Sequence, residues 1–184
     1  MGYSFMYHDK RSMKIVAVIN CVLNQNARAP GAAVFPGMDT KVIDILRKHD
    51  VGVLQMPCPE MMCLGLPRSR PEGTSIREVL DTPEGRECCR KLSVFVADQI
   101  EEFLKNNFKV LAILGGDVDS PGCAVHLSKE NNCKLEKGSG VFMEELYLEL
   151  SKRNIKIPFR GIRDSDPEKL MEDVNWLDRL LSES

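Results

Sequence analysis

Four short stretches of the chain are apolar almost throughout. KIVAVIN at 14–20, VGVLQM at 51–56 and FKVLAIL at 108–114 are rich in β-branched residues, and IKIPFRGI at 155–162 is a weaker fourth. Runs of this length predict strands, and strands apolar on both faces suit a parallel sheet covered by helices on both sides. Pro158 weakens the fourth, because proline cannot donate to a ladder. Between the runs, apolar residues recur at helical spacing. The stretch 39–48 carries Val42, Ile43, Ile45 and Leu46 behind a cap at Asp39 or Thr40. The longer stretch 82–106 opens on Thr82, Pro83 and Glu84, and its apolar face runs through Leu92, Phe95, Val96, Ile100, Phe103 and Leu104. GVFMEELYLELSKR at 140–153 predicts a third helix. The stretch 167–181 predicts a fourth, capped by Asp166, with Leu170, Val174, Trp176, Leu177, Leu180 and Leu181 as its stripe. The order β-α-β-loop-α-β-loop-α-β-α predicts an α/β fold: a single three-layer doubly wound domain with a mostly parallel sheet, Rossmann-like. Two connections, 58–81 and 115–139, are long enough to suggest function.

The 184 residues suit one domain. We expect it to span 13–184, after a loose polar leader at 1–12 that lacks the apolar stretch of a secretory signal. Hydrophobic residues at 43% and charged residues at 28% are ordinary for a globular protein, and the net charge of −2 points to no nucleic-acid surface. No apolar run approaches the roughly 20 residues of a membrane span. Seven cysteines are many for this length. An odd count without a signal peptide argues against a secreted disulfide framework and for a reducing, cytoplasmic setting, where cysteines are buried hydrophobes, metal ligands or nucleophiles.

The placement of three cysteines is informative. Cys21 follows strand one, Cys58 comes two residues after strand two, and Cys123 lies in the connection after strand three. The carboxyl ends of parallel strands share one edge, where ligands bind. Topology alone therefore puts these three thiols on one rim. Prolines flank Cys58, and Gly115, Gly116 and Gly122 allow close backbone approach near Cys123. Structural zinc takes four protein ligands, and no C-x₂-C knuckle is present. Three thiolates on an iron–sulfur cluster leave one iron open as a Lewis acid that favours sulfur. Cys63 is a candidate to replace Cys58 or to add a fourth ligand. Cys88 and Cys89 are expected to be packing residues, and Cys133 a spectator.

Four blocks resemble the thiouracil desulfidase (TudS-like) family: KIVAVINCVLNQNARAPG at 14–31, CPEMMCLGLPRSRP at 58–71, SPGC at 120–123 and GSGVFMEELYLELSKRNIKI at 138–157. The resemblance implies a [4Fe-4S] cluster on Cys21, Cys58 and Cys123, and removal of sulfur from a thiolated pyrimidine by non-redox hydrolysis with release of hydrosulfide. Glu60 and Ser120 match polar family positions beside the open iron. Glu60 would be general base for water, and Ser120 would position the water or the substrate. Arg28, Arg68 or Arg70 would hold a phosphate or a pyrimidine carbonyl. The chain departs from the family pattern at Ala27, Ala29 and Gly122, and adds an extension at 158–184 that the minimal family does not need. The residues themselves leave two other readings open. One is a non-catalytic iron–sulfur binding or sensing protein, with Cys63 closing the site. The other is a metal-free small-molecule-binding α/β domain, with Gly115–Asp117 as its phosphate loop.

Overall fold

The computed structural model describes residues 9–128 and 134–184; Cys133 and most of the leader lie outside them. Four strands form one sheet, β1 (Lys14–Ile19), β2 (Gly52–Met56), β3 (Lys109–Gly115) and β4 (Phe159–Gly161). All pairings are parallel, in the order β2-β1-β3-β4. The central strands are the most apolar: Val16–Ile19 of β1 and Ala112–Leu114 of β3 are fully buried. β2 is an edge strand, with Val53 and Gln55 exposed.

The chain runs from β1 out to β2 and then back across to β3 and β4. Right-handed crossovers therefore put α2 (Thr40–Lys48) on one face, and α5 (Pro83–Lys105) and α6 (Val141–Lys152) on the other. The final helix, α7 (Pro167–Ser182), packs beside α2 and completes the third layer. Asp39 caps α2, Thr82 caps α5 and Asp166 caps α7, each accepting from backbone N–H groups of the first turn. α7 buries Leu170, Val174, Leu177 and Leu181 in the core, so the extension is structural in this chain. No helix among the described residues is long and apolar enough to cross a membrane.

Several expectations are corrected. The fourth strand is three residues rather than eight. Pro158 accepts from Ile113 N–H but has no N–H to give, so regular pairing begins after it. The connection 58–81 contains two short helices, α3 (Pro59–Leu64) and α4 (Ile76–Leu80). Ser75 and Glu78 close a capping box at the start of α4. The buried stripe of α5 runs through Cys89, Ser93, Val96, Ala97 and Ile100, whereas Phe95 is 60% exposed on the outer side.

Candidate functional site

The strand register builds the rim. Ile19 pairs with Met56, Val18 with Leu114, and Gly115 with Gly161, so the carboxyl ends of the four strands are level. Cys21 follows two residues after Ile19, in the one-turn helix α1 (Asn20–Leu23). Cys58 follows two residues after Met56 and is the N-cap residue of α3. Cys123 is farther along the chain, but its loop folds back. Gly116 N–H donates to the Cys123 carbonyl at 2.8 Å, and Gly116 bridges to Ala124.

Glycines make this return possible. A Cβ on Gly116 would stand 2.6 Å from Cys123 Sγ, and one on Gly140 would stand 2.2 Å from Cys123 N. A Cβ on Gly122 would stand 2.6 Å from Pro59 Cγ and 3.3 Å from Glu60 Cγ, which explains glycine before the last cysteine.

The three cysteines are free, buried, and line one cavity of about 510 Å³, within the range of small-molecule sites. Glu60, Ser120, Arg28 and Arg68 line the same cavity, with Asp117 and Asp119. Asp117 is a carboxylate partner as well as a turn former, accepting from the Ser165 hydroxyl and, at 3.3 Å, from its N–H.

The electrostatics are those of thiols waiting on positive charge. Burial pushes Cys21 up to about 11 and raises Cys58 and Cys123 as well. Cys21 is also raised electrostatically by Cys58, and Cys123 by both Cys21 and Cys58. Two guanidiniums oppose this: Arg28 Nη2 lies 3.8 Å from Cys21 Sγ, and Arg68 Nη2 lies 3.5 Å from Cys58 Sγ. Backbone N–H groups of Met61 and Glu60 also favour the Cys58 thiolate, as the Ser120 hydroxyl does at Cys123.

Arg68 is a brace, not a loop charge. Its side chain is 2% exposed and its backbone is left-handed, with φ 55°. It donates to the Leu66 carbonyl at 2.7 Å and the Ala27 carbonyl at 2.5 Å, and faces Glu60 Oε2 at 3.5 Å. Glu60 also accepts from Gly122 N–H at 3.4 Å, which ties α3 to the Cys123 loop. Arg70 does not line the cavity. It donates to the carbonyls of Thr74 and Arg68 and holds its own loop.

Cys63 stands apart from the three cavity cysteines. It forms a disulfide with Cys88, tying α3 to α5, and does not line the cavity. Cys88 is therefore a bridge rather than a packing residue, while Cys89 is fully buried as a packing residue. The pair closes a loop of 25 residues, worth about 3.5 kcal/mol by loop-closure entropy. Cys88→Ser is expected to lower stability by about that amount under oxidising conditions, read as a shifted denaturant midpoint, with the cavity thiols still reactive as in wild type.

The donor set fits an iron–sulfur cluster. Three soft thiols line one cavity, their burial penalises an uncompensated thiolate, and a bound metal would supply the missing charge. Among the described residues no three His, Cys, Asp or Glu side chains are arranged to share a single metal ion. A cluster takes each thiolate on a different iron, so its ligands stand farther apart than those of a mononuclear ion.

Fold and site together define a parallel α/β protein with a cysteine-lined cavity at its strand ends. The chain is 33% identical over 147 residues to the uncharacterized protein MJ0003 of Methanocaldococcus jannaschii, a match covering 80% of this chain and 84% of that protein. It belongs to the same family as that protein. No family model matches the chain, and no solved structure matches it.

Proposed function

We propose that this protein is a [4Fe-4S]-dependent desulfidase that hydrolyses a thiolated pyrimidine of the thiouracil or thiouridine type and releases hydrosulfide. The carrying observation is that three free buried cysteines from three strand ends line one cavity together with Glu60 and Ser120. Cys21, Cys58 and Cys123 would hold the cluster. When bound, it supplies an open Lewis-acidic iron suited to a thiocarbonyl sulfur.

The chain's own residues carry the rest. Glu60 lines the cavity with its side chain 12% exposed and takes the proton of the attacking water. Ser120 hydrogen-bonds the water or the substrate from the Cys123 loop. Water adds its oxygen to the ring carbon as the C–S bond breaks. The thione becomes a carbonyl, the sulfur leaves as hydrosulfide, and no electrons are transferred. Arg28 and Arg68 hold the cavity walls and the sulfurs of Cys21 and Cys58.

The sensing alternative relied on Cys63 as a fourth ligand. Its pairing with Cys88 favours the open, three-thiolate arrangement. The free cavity thiols suit a reducing cytoplasm, the proposed location, where the Cys63–Cys88 bridge would be the exception. The test is anaerobic incubation of the reconstituted protein with 2-thiouracil and 4-thiouridine. Loss of the thione absorbance with equimolar hydrosulfide supports the reading. A cluster-loaded protein that releases none from any thiolated pyrimidine overturns it.

A further inference from the structure

We infer that Asp164, on the segment joining β4 to α7, is a positioning residue of the cysteine cavity that sets Arg28 against Cys21. The inference rests on reading that cavity as the functional site. The Asp164 side chain is fully buried. One of its oxygens, Oδ2, accepts from Arg28 Nη2 at 2.5 Å and from Gln25 Nε2 at 3.3 Å. Both donors also grip the surroundings of Cys21. Arg28 Nη2 faces the sulfur at 3.8 Å, and Gln25 Nε2 donates to the Cys21 carbonyl at 2.9 Å.

The same two side chains hold the loop that walls the cavity. Arg28 Nη1 donates to the Ala32 carbonyl at 2.9 Å. Gln25 Oε1 accepts from the N–H groups of Val34 at 3.0 Å and Phe35 at 3.4 Å. Ala32 and Val34 are cavity-lining residues. A single carboxylate oxygen therefore fixes the guanidinium beside Cys21 and the wall opposite it in the chain. Arginine is rotamer-rich, so without its carboxylate the guanidinium keeps only the Ala32 carbonyl and is no longer held at the sulfur. The other oxygen, Oδ1, is buried with no hydrogen-bond partner among the described residues. A buried carboxylate left half-satisfied is costly, so packing alone does not account for aspartate here.

Cysteine alkylation in the metal-free full-length protein tests this. Iodoacetamide labelling of Cys21 and Cys123 is followed by mass spectrometry at one fixed pH, with Cys123 as the internal reference. Asp164→Ala, and the shape-conserving Asp164→Asn for the case that alanine does not fold, are expected to lower Cys21 labelling relative to Cys123 about tenfold, because the guanidinium is no longer held against the Cys21 sulfur. In an Arg28→Gln background the same substitutions are expected to change the ratio less than about twofold, because Asp164 acts through Arg28. An unchanged or raised ratio with Arg28 present, an equal fall at both cysteines, or an undiminished fall in Arg28→Gln overturns the inference. Iron uptake by the wild type is measured separately. Its absence sinks the cluster reading, while the labelling ratio still decides the role of Asp164.

Discussion

Glu60→Gln is expected to retain iron and sulfide at the wild-type level and to lose desulfuration by about 10²- to 10⁴-fold, the range of a general base. The two expectations separate because Glu60 is not among the cysteine donors. Its carboxylate lies between the Arg68 guanidinium and the Gly122 N–H, on the turn after Cys58. Glutamine keeps the shape and an acceptor for Gly122, so the Cys123 loop should stay in place. It cannot take a proton from water at neutral pH. Steady-state hydrosulfide release, normalised to iron content, is the measurement. A normal rate per cluster would leave Glu60 only as the partner of Arg68.

Serine at Cys21, Cys58 or Cys123 is expected to abolish stable cluster retention in each case, with thermal stability changed little. Each of these sulfurs is buried and free of the disulfide, and among the described residues no fourth cysteine lines the cavity to substitute for it. Serine is nearly isosteric, but its hydroxyl is a poor ligand for soft iron sites. The control is Cys89→Ser. Cys89 is buried on the α5 stripe away from the cavity, so iron content should match wild type even where stability falls. Loss of iron from the Cys89 variant alone, with retention in the other three, would reassign the ligands.

What the chain discloses before folding follows from periodicity. Cys21 and Cys58 are legible because apolar runs end just before them, Cys123 because it lies in the connection after the third run, and all three because parallel strands share an edge. The caps at Asp39, Thr82 and Asp166 are legible because they are local. Contacts across long separations are not. Arg28 reads as a candidate substrate holder until Asp164, 136 residues away, faces it. Arg68 reads as a candidate holder of a phosphate or carbonyl, yet α3 and the loop after it bury it against the Ala27 carbonyl. The Cys63–Cys88 pair was hidden for a related reason. It needs α3 to be a helix, and a Pro-, Met- and Gly-rich stretch gives no periodic signal of one. The segment before α7 reads only as a capped helix start. In the fold it brings Asp164 to Arg28 and Ser165 to Asp117, so the extension completes the cavity.

The most direct test of the central claim is anaerobic reconstitution of the full-length wild-type protein with iron and sulfide, followed by metal and sulfide analysis and a visible spectrum. About four irons and four sulfides per chain, with broad thiolate-to-iron absorption, is the expected result for a cluster on Cys21, Cys58 and Cys123. A protein that remains folded, keeps its three thiols reduced, and takes up no iron under those conditions would contradict it.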